Sequence, residues 1–479
     1  NCPQWVIAYF GILKAGAVAV FAEAGGGEQR LLDRLQQSGA VMLITNDERH
    51  AALDALLPGD ARGAKLRRVV FASRLGFMGL REKLRHTLAH PDALGRVLHW
   101  LRAPDKRKYF RRRFGSFNDM LARGRIFPPD VVLNVDDVAV LAYTFGSTGP
   151  AMPVPLTHRN LAANALQLRH WLPESRPGDE RFLAQQPLAG AYGVTCLLHL
   201  GVYLGASLIL LPDPELDDLL KAVQRFRPTF FPTTPDVVRR LAHTPGVRRY
   251  GLATIRVCAV SGSHLPLEVR EEFEKITRGR LIEAYGLTEA SPAVLAMPVA
   301  SRRRAGVVGI PLPDTEVRIV DLDSGADVPF ETPGQLWVRG PQVFGGYDTH
   351  HGGVDEQEAA AHATRVRLQP GEGGPWLVTG DIASIDEDGF VTLIDREDNM
   401  VLRASRRVFP RQVEEVLFQH PAVALAKVKP MLNSDGYTEL HAKILLHRNM
   451  KVSEIELLKH SSKYLQAWAT PDSITIEHQ

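Results

Sequence analysis

Three hydroxyl side chains and two glycines crowd into Thr144–Gly149, TFGSTG. Gly146 and Gly149 permit tight turns, so consecutive main-chain N–H groups can point at one anion, and Thr144, Ser147 and Thr148 add hydroxyl donors. That chemistry suits phosphate. The loop follows an apolar strand-like run, VAVLAYT, and precedes a helix expected to begin near Thr157, whose N-terminus would help hold an anion. Its spacing lacks the Gly-Lys-Ser/Thr ending of a Walker loop. Taken alone, the hexapeptide fits an ordinary strand-to-helix connection equally well. Just beyond it stand Met152 and Pro153, a thioether without charge and a residue without a main-chain donor.

Three more stretches carry compatible chemistry. In Glu283–Pro292, EAYGLTEASP, Thr288 and Glu289 follow a strand that ends at Tyr285. A hydroxyl beside a carboxylate can hold a phosphate oxygen and its Mg2+ together, though a capped turn would look the same. In WLVTGD, Asp381 is expected just past a strand end, where a carboxylate can accept two ribose hydroxyls. In DRED, residues 395–398, Arg396 offers a fork of donors to a ribose or a phosphate.

The elements that must position these residues read as α/β. Residues 1–46 alternate helix and strand, each helix closing on glycine before an apolar run, as a parallel sheet requires. Residues 75–130 break the rhythm and hold a basic run, Lys106–Arg113 (KRKYFRRR), readable as a solvated insertion or as a contact for anionic lipid headgroups. From 137 the alternation resumes. Between 305 and 395 short strands punctuated by Pro, Gly and Asp take over, and after Arg396 a smaller βα unit follows. The expectation is a large N-terminal domain over 1–395, made of parallel-sheet subdomains plus a β-rich subdomain at 305–395, and a small α+β C-terminal domain over 396–479. The apolar run Val194–Leu211 nearly reaches transmembrane length, but Gly201 and Gly205 interrupt it, so a buried helix, a turn and a strand are expected.

Composition narrows the class. The 479 residues carry 57 basic and 54 acidic side chains, a balance of +3 that gives no reason to expect a nucleic-acid partner. Cys2, Cys196 and Cys258 have no CxxC spacing, and the last two sit in apolar runs as small buried hydrophobes, which suits a reduced, cytoplasmic setting, in solution or at a membrane surface. The chain opens at Asn1 with an apolar helix under way, and a fragment is expected.

The ordered set YTFGSTG, SGSHLPLEV, EAYGLTEASP, VGIPLPDTEVRIVD, VTGD and DREDNMV…VFPRQVEE resembles the acyl-adenylate-forming superfamily, and within it the long-chain fatty-acid–CoA ligases. Each motif is weak, but six in order across 1–479 are strong. The opening NCPQWVIAYFGILKAGAVAV is similar to that family as well. The resemblance implies that a fatty carboxylate attacks the α-phosphorus of ATP to give acyl-AMP, and that coenzyme A, or the arm of an acyl carrier protein, then displaces AMP. It implies that Thr144, Gly146, Ser147, Thr148 and Gly149 wrap the β- and γ-phosphates, that Thr288 touches the α-phosphate and that Glu289 holds Mg2+. Ser263, Ala284 and Tyr285 would border the adenine, Asp381 and Arg396 would bind the ribose, and Asp398 would be the hinge of the C-terminal domain.

The chain departs from the family where cations surround phosphate and at the entrance expected for the acyl group. Met152 and Pro153 stand where lysine and glycine are usual, Ala189 and Gly190 where an aromatic and a histidine are common, and Leu402, Ala404 and Ser405 where lysine and glycines follow the hinge. The family's C-terminal catalytic lysine would fall beyond Gln479. Loss of one such donor commonly lowers a rate by about 10²–10³. The expectation is a ligase of impaired turnover or, as the alternative, a homologue that binds AMP, ATP or acyl-AMP without turning over. A nicotinamide oxidoreductase is disfavoured, because no GxGxxG follows the first strand.

Overall fold

The computed structural model describes residues 1–22, 27–47, 66–77, 114–124, 130–144, 151–212, 215–262, 265, 267–301, 306–347, 366–403, 406–434, 437–447 and 450–477. Gly146, Ser147, Thr148, Gly149, Ser263, Ala404, Ser405 and the basic run Lys106–Arg113 lie outside the described residues. The chain forms two compact units: Asn1–Ser301 with Leu312–Asp314 and Pro341–His362, and Arg302–Pro311 with Thr315–Gly340 and Ala363–Gln479. The second unit thus groups most of the β-rich stretch with residues 396–479. Two contacts explain the grouping. The strand Val391–Arg396 runs straight into the DRED motif, and Arg407, beyond it, pairs with Asp321 at 3.5 Å and Asp323 at 2.5 Å.

The first unit is α/β, as expected. The strands Ser207–Leu210, Arg181–Ala184, Phe230–Thr233, Val257–Val260 and Arg280–Gly286 lie parallel in that spatial order, and Ala293–Ala296 pairs antiparallel with the last. Strands buried on both faces need continuous apolar runs, and Phe230–Thr233 is buried at every position. The helices Leu216–Phe226, Pro235–Ala242 and Leu267–Thr277 bury Leu219, Val223, Val238, Leu241 and Phe273 around Phe231 and Cys258. Cys196 and Cys258 are buried and free, and burial pushes the Cys196 thiol up to about 12.

The run Val194–Leu211 breaks into helix, turn and strand. The helix is wound as a π-helix over Gly193–His199 and continues as Leu200–Tyr203 before the strand Ser207–Leu210. Gly193 is obligatory there: a Cβ would stand 2.0 Å from the Pro187 carbonyl oxygen. Among the described residues no helix is long and apolar enough to cross a membrane.

His199 ends the π-helix against the first helix, Pro3–Lys14, with its Nε2 2.7 Å from the Tyr9 hydroxyl. Burial, with a smaller contribution from His158, pushes its pKa down to about 4 from 6.5. The imidazole is therefore neutral when folded, whereas the unfolded chain takes up a proton below pH 6.5. This contribution is fully present above pH 6.5 and is lost as pH falls toward 4, at a cost of about 2–3 kcal/mol. Urea unfolding at the two ends of that window is expected to show wild type losing about 2 kcal/mol more than His199→Gln. An equal loss in both would contradict the assignment.

The second unit is mostly antiparallel. Glu316–Val320, Gly334–Arg339, Trp376–Ile385, Val391–Arg396 and Val307–Pro311 follow in spatial order. The hairpin Val401–Arg403/Arg406–Val408 comes after the DRED motif. A three-stranded sheet, Val423–Leu432, Thr438–Leu446 and Ser473–Glu477, then packs with the helices Pro410–Phe418 and Glu454–Tyr464 around Val413, Leu417, Leu440, Ile444 and Leu457.

Candidate nucleotide site

The Thr144–Gly149 motif is framed by two antiparallel strands, which corrects the strand-to-helix reading. Val138–Tyr143 enters it and Pro153–Thr157 leaves it, paired from Val138↔Thr157 to Tyr143↔Pro153. The second strand lies at the edge of its three-stranded sheet, the place where Pro153 and Pro155 are tolerated. The stem closes at Thr144, whose N–H donates to the Met152 carbonyl at 3.0 Å and whose hydroxyl accepts the Met152 N–H at 2.9 Å. The Met152 side chain is only 2% exposed and packs as core. The helix His158–Trp171 begins one strand later, so its N-terminus is not the loop's own anion site.

That helix does other work. Thr157 and Asn160 form a reciprocal capping box, each side chain accepting the other's main-chain N–H at 3.0–3.1 Å. Asn160, Asn164 and Gln167, spaced along one face, are buried amides. Asn160 Nδ2 donates to the carbonyls of Pro341 and Val343 at 2.9 and 2.8 Å. Asn164 exchanges bonds of 2.8 and 3.0 Å with Ala293, and Gln167 donates to Pro313 and to Gln342 Oε1. This stripe fixes the segment 341–347 against the turn after the strand Arg280–Gly286.

The turn holds Thr288 and Glu289, 9% and 4% exposed, in a 3-10 helix that stops at Ser291, where φ is 70°. Gly286 lets the chain double back, because a Cβ would meet the Pro292 carbonyl oxygen at 2.0 Å. Two bonds from the 341–347 segment grip Glu289. The Phe344 N–H donates to its carbonyl at 2.8 Å, and the Tyr347 hydroxyl donates to Oε1 at 2.6 Å. Burial and the adjacent carboxylate push the Tyr347 pKa far up, so the phenol stays a donor. Sequence reasoning missed Tyr347, and its signal was faint: a lone tyrosine after two glycines, VFGGY.

Ala284 lies on the strand leading to this turn, its methyl against the cluster of Ala293, Ala296 and Leu312 with Leu168 and Trp171, and Tyr285 follows it. Upstream, Glu283 meets Arg270 at 2.8 Å in a largely buried ion pair. Burial raises the Glu283 pKa, and Arg270 opposes that.

In the second unit Asp381 and Arg396 are brought together. Asp381 sits inside the ten-residue strand Trp376–Ile385, not past its end, directly across the ladder from Arg396. The Arg396 guanidinium lies 3.5 Å from Asp381 and 4.0 Å from Asp398, so one cation spans two carboxylates. Buried Asp395 holds this arrangement. It accepts the Arg396 N–H and Asn399 Nδ2 on one oxygen and the Arg411 N–H on the other, each at 2.8 Å. Leu402, on the following hairpin, is 62% exposed.

Comparison with known proteins gives the family and the fold. The AMP-binding enzyme family model matches residues 1–348. The chain is 30% identical over 476 residues to a long-chain-fatty-acid–CoA ligase of Bacillus subtilis, covering 98% of this chain and 80% of that protein. It is 31% identical over 480 residues to the Yersinia pestis protein of the same name, covering 98% and 79%. In fold it matches ATP-bound MatB from Rhodopseudomonas palustris with a TM-score of 0.78 at 20% identity, covering all of this chain and 83% of that one. With the family model spanning most of its length and relatives of 30% and 31% identity matched over 98% of the chain, the chain belongs to the AMP-binding enzyme family.

Proposed function

We propose that the chain activates a long-chain fatty acid as acyl-AMP at the expense of ATP and transfers the acyl group to coenzyme A. The observation that carries this reading is the buried Glu289, oriented by Tyr347 beside Thr288. The names of the relatives support the substrate class. Among the described residues no cluster of three metal-ligating side chains occurs. A single carboxylate next to a hydroxyl fits Mg2+ that arrives on phosphate oxygens and keeps its waters. When bound, the ion would neutralise charge on the phosphates.

In this reading residues 1–395 act as the adenylation domain and 396–479 as the C-terminal domain, with Asp398 the hinge. Thr144–Gly149 takes the β- and γ-phosphates, and Thr288 the α-phosphate. Ser263, Ala284 and Tyr285 border the adenine, and Asp381 with Arg396 takes the ribose. The carboxylate oxygen forms a bond to the α-phosphorus as the bond to the β-phosphate oxygen breaks and pyrophosphate leaves. The thiol sulfur then bonds the acyl carbon and AMP leaves. Both steps depend on positioning and charge neutralisation rather than on a protein nucleophile.

A second reading, nucleotide binding with slow turnover, is favoured by one observation: Met152 brings no charge to the phosphate loop and faces the core. Incubation with ATP, palmitate and coenzyme A separates the two. Equal amounts of AMP and palmitoyl-CoA are expected. ATP bound without either product would establish the second reading. A pantetheine-bearing carrier protein in place of coenzyme A identifies the acceptor.

A further inference from the structure

The sheet of Val423–Leu432, Thr438–Leu446 and Ser473–Glu477 packs one face on its helices and turns the other outward. Side chains alternate along a strand, so burying Leu440, Ala442 and Ile444 puts Glu439, His441 and Lys443 on the outer face. Burying Ile474 does the same for Ser473, which the parallel ladder sets beside His441. Hydrogen bonds then run in series across that face. Ser473 Oγ lies 2.9 Å from His441 Nδ1, His441 Nε2 lies 3.2 Å from Glu439 Oε2, and Asn433 Nδ2 donates to Glu439 Oε1 at 2.9 Å. An ionised carboxylate only accepts, so in the neutral imidazole Nε2 carries the hydrogen and Nδ1 accepts the Ser473 hydroxyl. The bonds from Asn433 and His441 hold the Glu439 carboxyl below the usual carboxylate range.

A hydroxyl on a base, with the base oriented by a further group, is the arrangement that activates a nucleophile. The His441 and Glu439 side chains are 38% and 36% exposed, so a substrate can reach them. Cations share the face. Lys429 stands opposite His441, and Lys427 opposite Lys443. Like charges facing across a ladder destabilise it, and an anion laid over them relieves this. Glu414, 3.4 Å from Lys427, and Glu477, 2.7 Å from Lys443, take up part of the charge. An acyl donor with an anionic leaving group suits such a face.

We infer that Ser473 is a nucleophile toward coenzyme A thioesters, with His441 as its base and Glu439 as the residue that orients the ring. The inference uses none of the residues of the adenylation reading and stands independently of it. The Ser473 oxygen bonds the acyl carbon as its proton passes to His441 Nδ1. The C–S bond breaks and the sulfur takes that proton, which leaves acyl-Ser473 and a free thiol. Water then adds to the ester carbon and gives a proton to Nδ1. The Ser473 oxygen leaves, recovers that proton, and the carboxylic acid departs.

The test is reaction of the full chain with a fluorophosphonate, a probe of activated serines, the site being located by peptide mass spectrometry. Label on Ser473 is expected in wild type. His441→Gln keeps the serine and is expected to slow labelling by about 10²-fold or more. Glu439→Gln is expected to slow it as well. These side chains lie outside the core, so the fold should hold, and thermal melting checks it. With butyryl-CoA, and neither AMP nor pyrophosphate present, wild type is expected to release thiol and butyrate in equal amounts. Ser473→Ala is expected to release neither above background. Wild type that takes no label on Ser473, or releases no thiol, overturns the inference whatever the variants do. So does a folded His441→Gln labelled at the wild-type rate, or thiol release that persists in Ser473→Ala.

Discussion

Replacing Glu289 by glutamine is expected to lower fatty-acid-dependent ATP–pyrophosphate exchange by about 10²–10³ and to leave the fold intact. The fold should survive because glutamine retains an oxygen that can accept the Tyr347 hydroxyl, and the main-chain bond from Phe344 is untouched. Chemistry should suffer because the substitution removes the one charge that this turn can offer a phosphate-borne cation. Tyr347→Phe provides the graded control. It keeps the carboxylate but releases Oε1, and loss of such a supporting bond typically lowers metal affinity by about 10- to 100-fold. Mn2+ binding in the presence of ATP, followed by electron spin resonance, reads this without turnover. A Glu289→Gln variant that melts like wild type and exchanges at the wild-type rate would remove Glu289 from the reaction.

Met152→Lys is expected to destabilise the protein by about 2–4 kcal/mol and not to raise exchange. Family resemblance alone points the other way, since lysine is usual at this position. The structure reverses that expectation. Met152 is 2% exposed, and both its main-chain groups are committed to Thr144. An ammonium placed there loses its hydration without a partner, or loses its proton, and either outcome disfavours the folded state. Met152→Leu conserves volume and should stay within about 1.5 kcal/mol of wild type. Denaturant unfolding of the pair decides the matter. Unchanged stability together with faster exchange in Met152→Lys would show that the side chain at 152 reaches the phosphates.

Much of the fold could be read from the chain because its local rules agree. Glycine-closed helices alternating with apolar runs gave the parallel sheet, and Thr157 marked the start of its helix. What stayed hidden is instructive. The strand Pro153–Thr157 contains two prolines, which argue against a strand unless it is known to lie at an edge. Asp381 reads as a turn residue after TG, yet the strand continues through it to Ile385. The π winding of Gly193–His199 leaves no periodic mark in a run that is apolar throughout. The site residues were legible where motif and chemistry coincide, as at Thr288 and Glu289. Tyr347 acts across 58 positions, and no local pattern announces a partner so distant. The amide stripe Asn160, Asn164 and Gln167 had the spacing of a helix face, but a polar stripe normally signals solvent rather than burial.

The central claim is that a fatty carboxylate is joined to AMP at this site. Exchange of labelled pyrophosphate into ATP, measured with Mg2+ and a series of fatty acids in the absence of any thiol, tests it most directly. Exchange that requires the fatty acid and collapses in Glu289→Gln is the predicted result. ATP binding seen by calorimetry, with no exchange above background for any chain length, would contradict it.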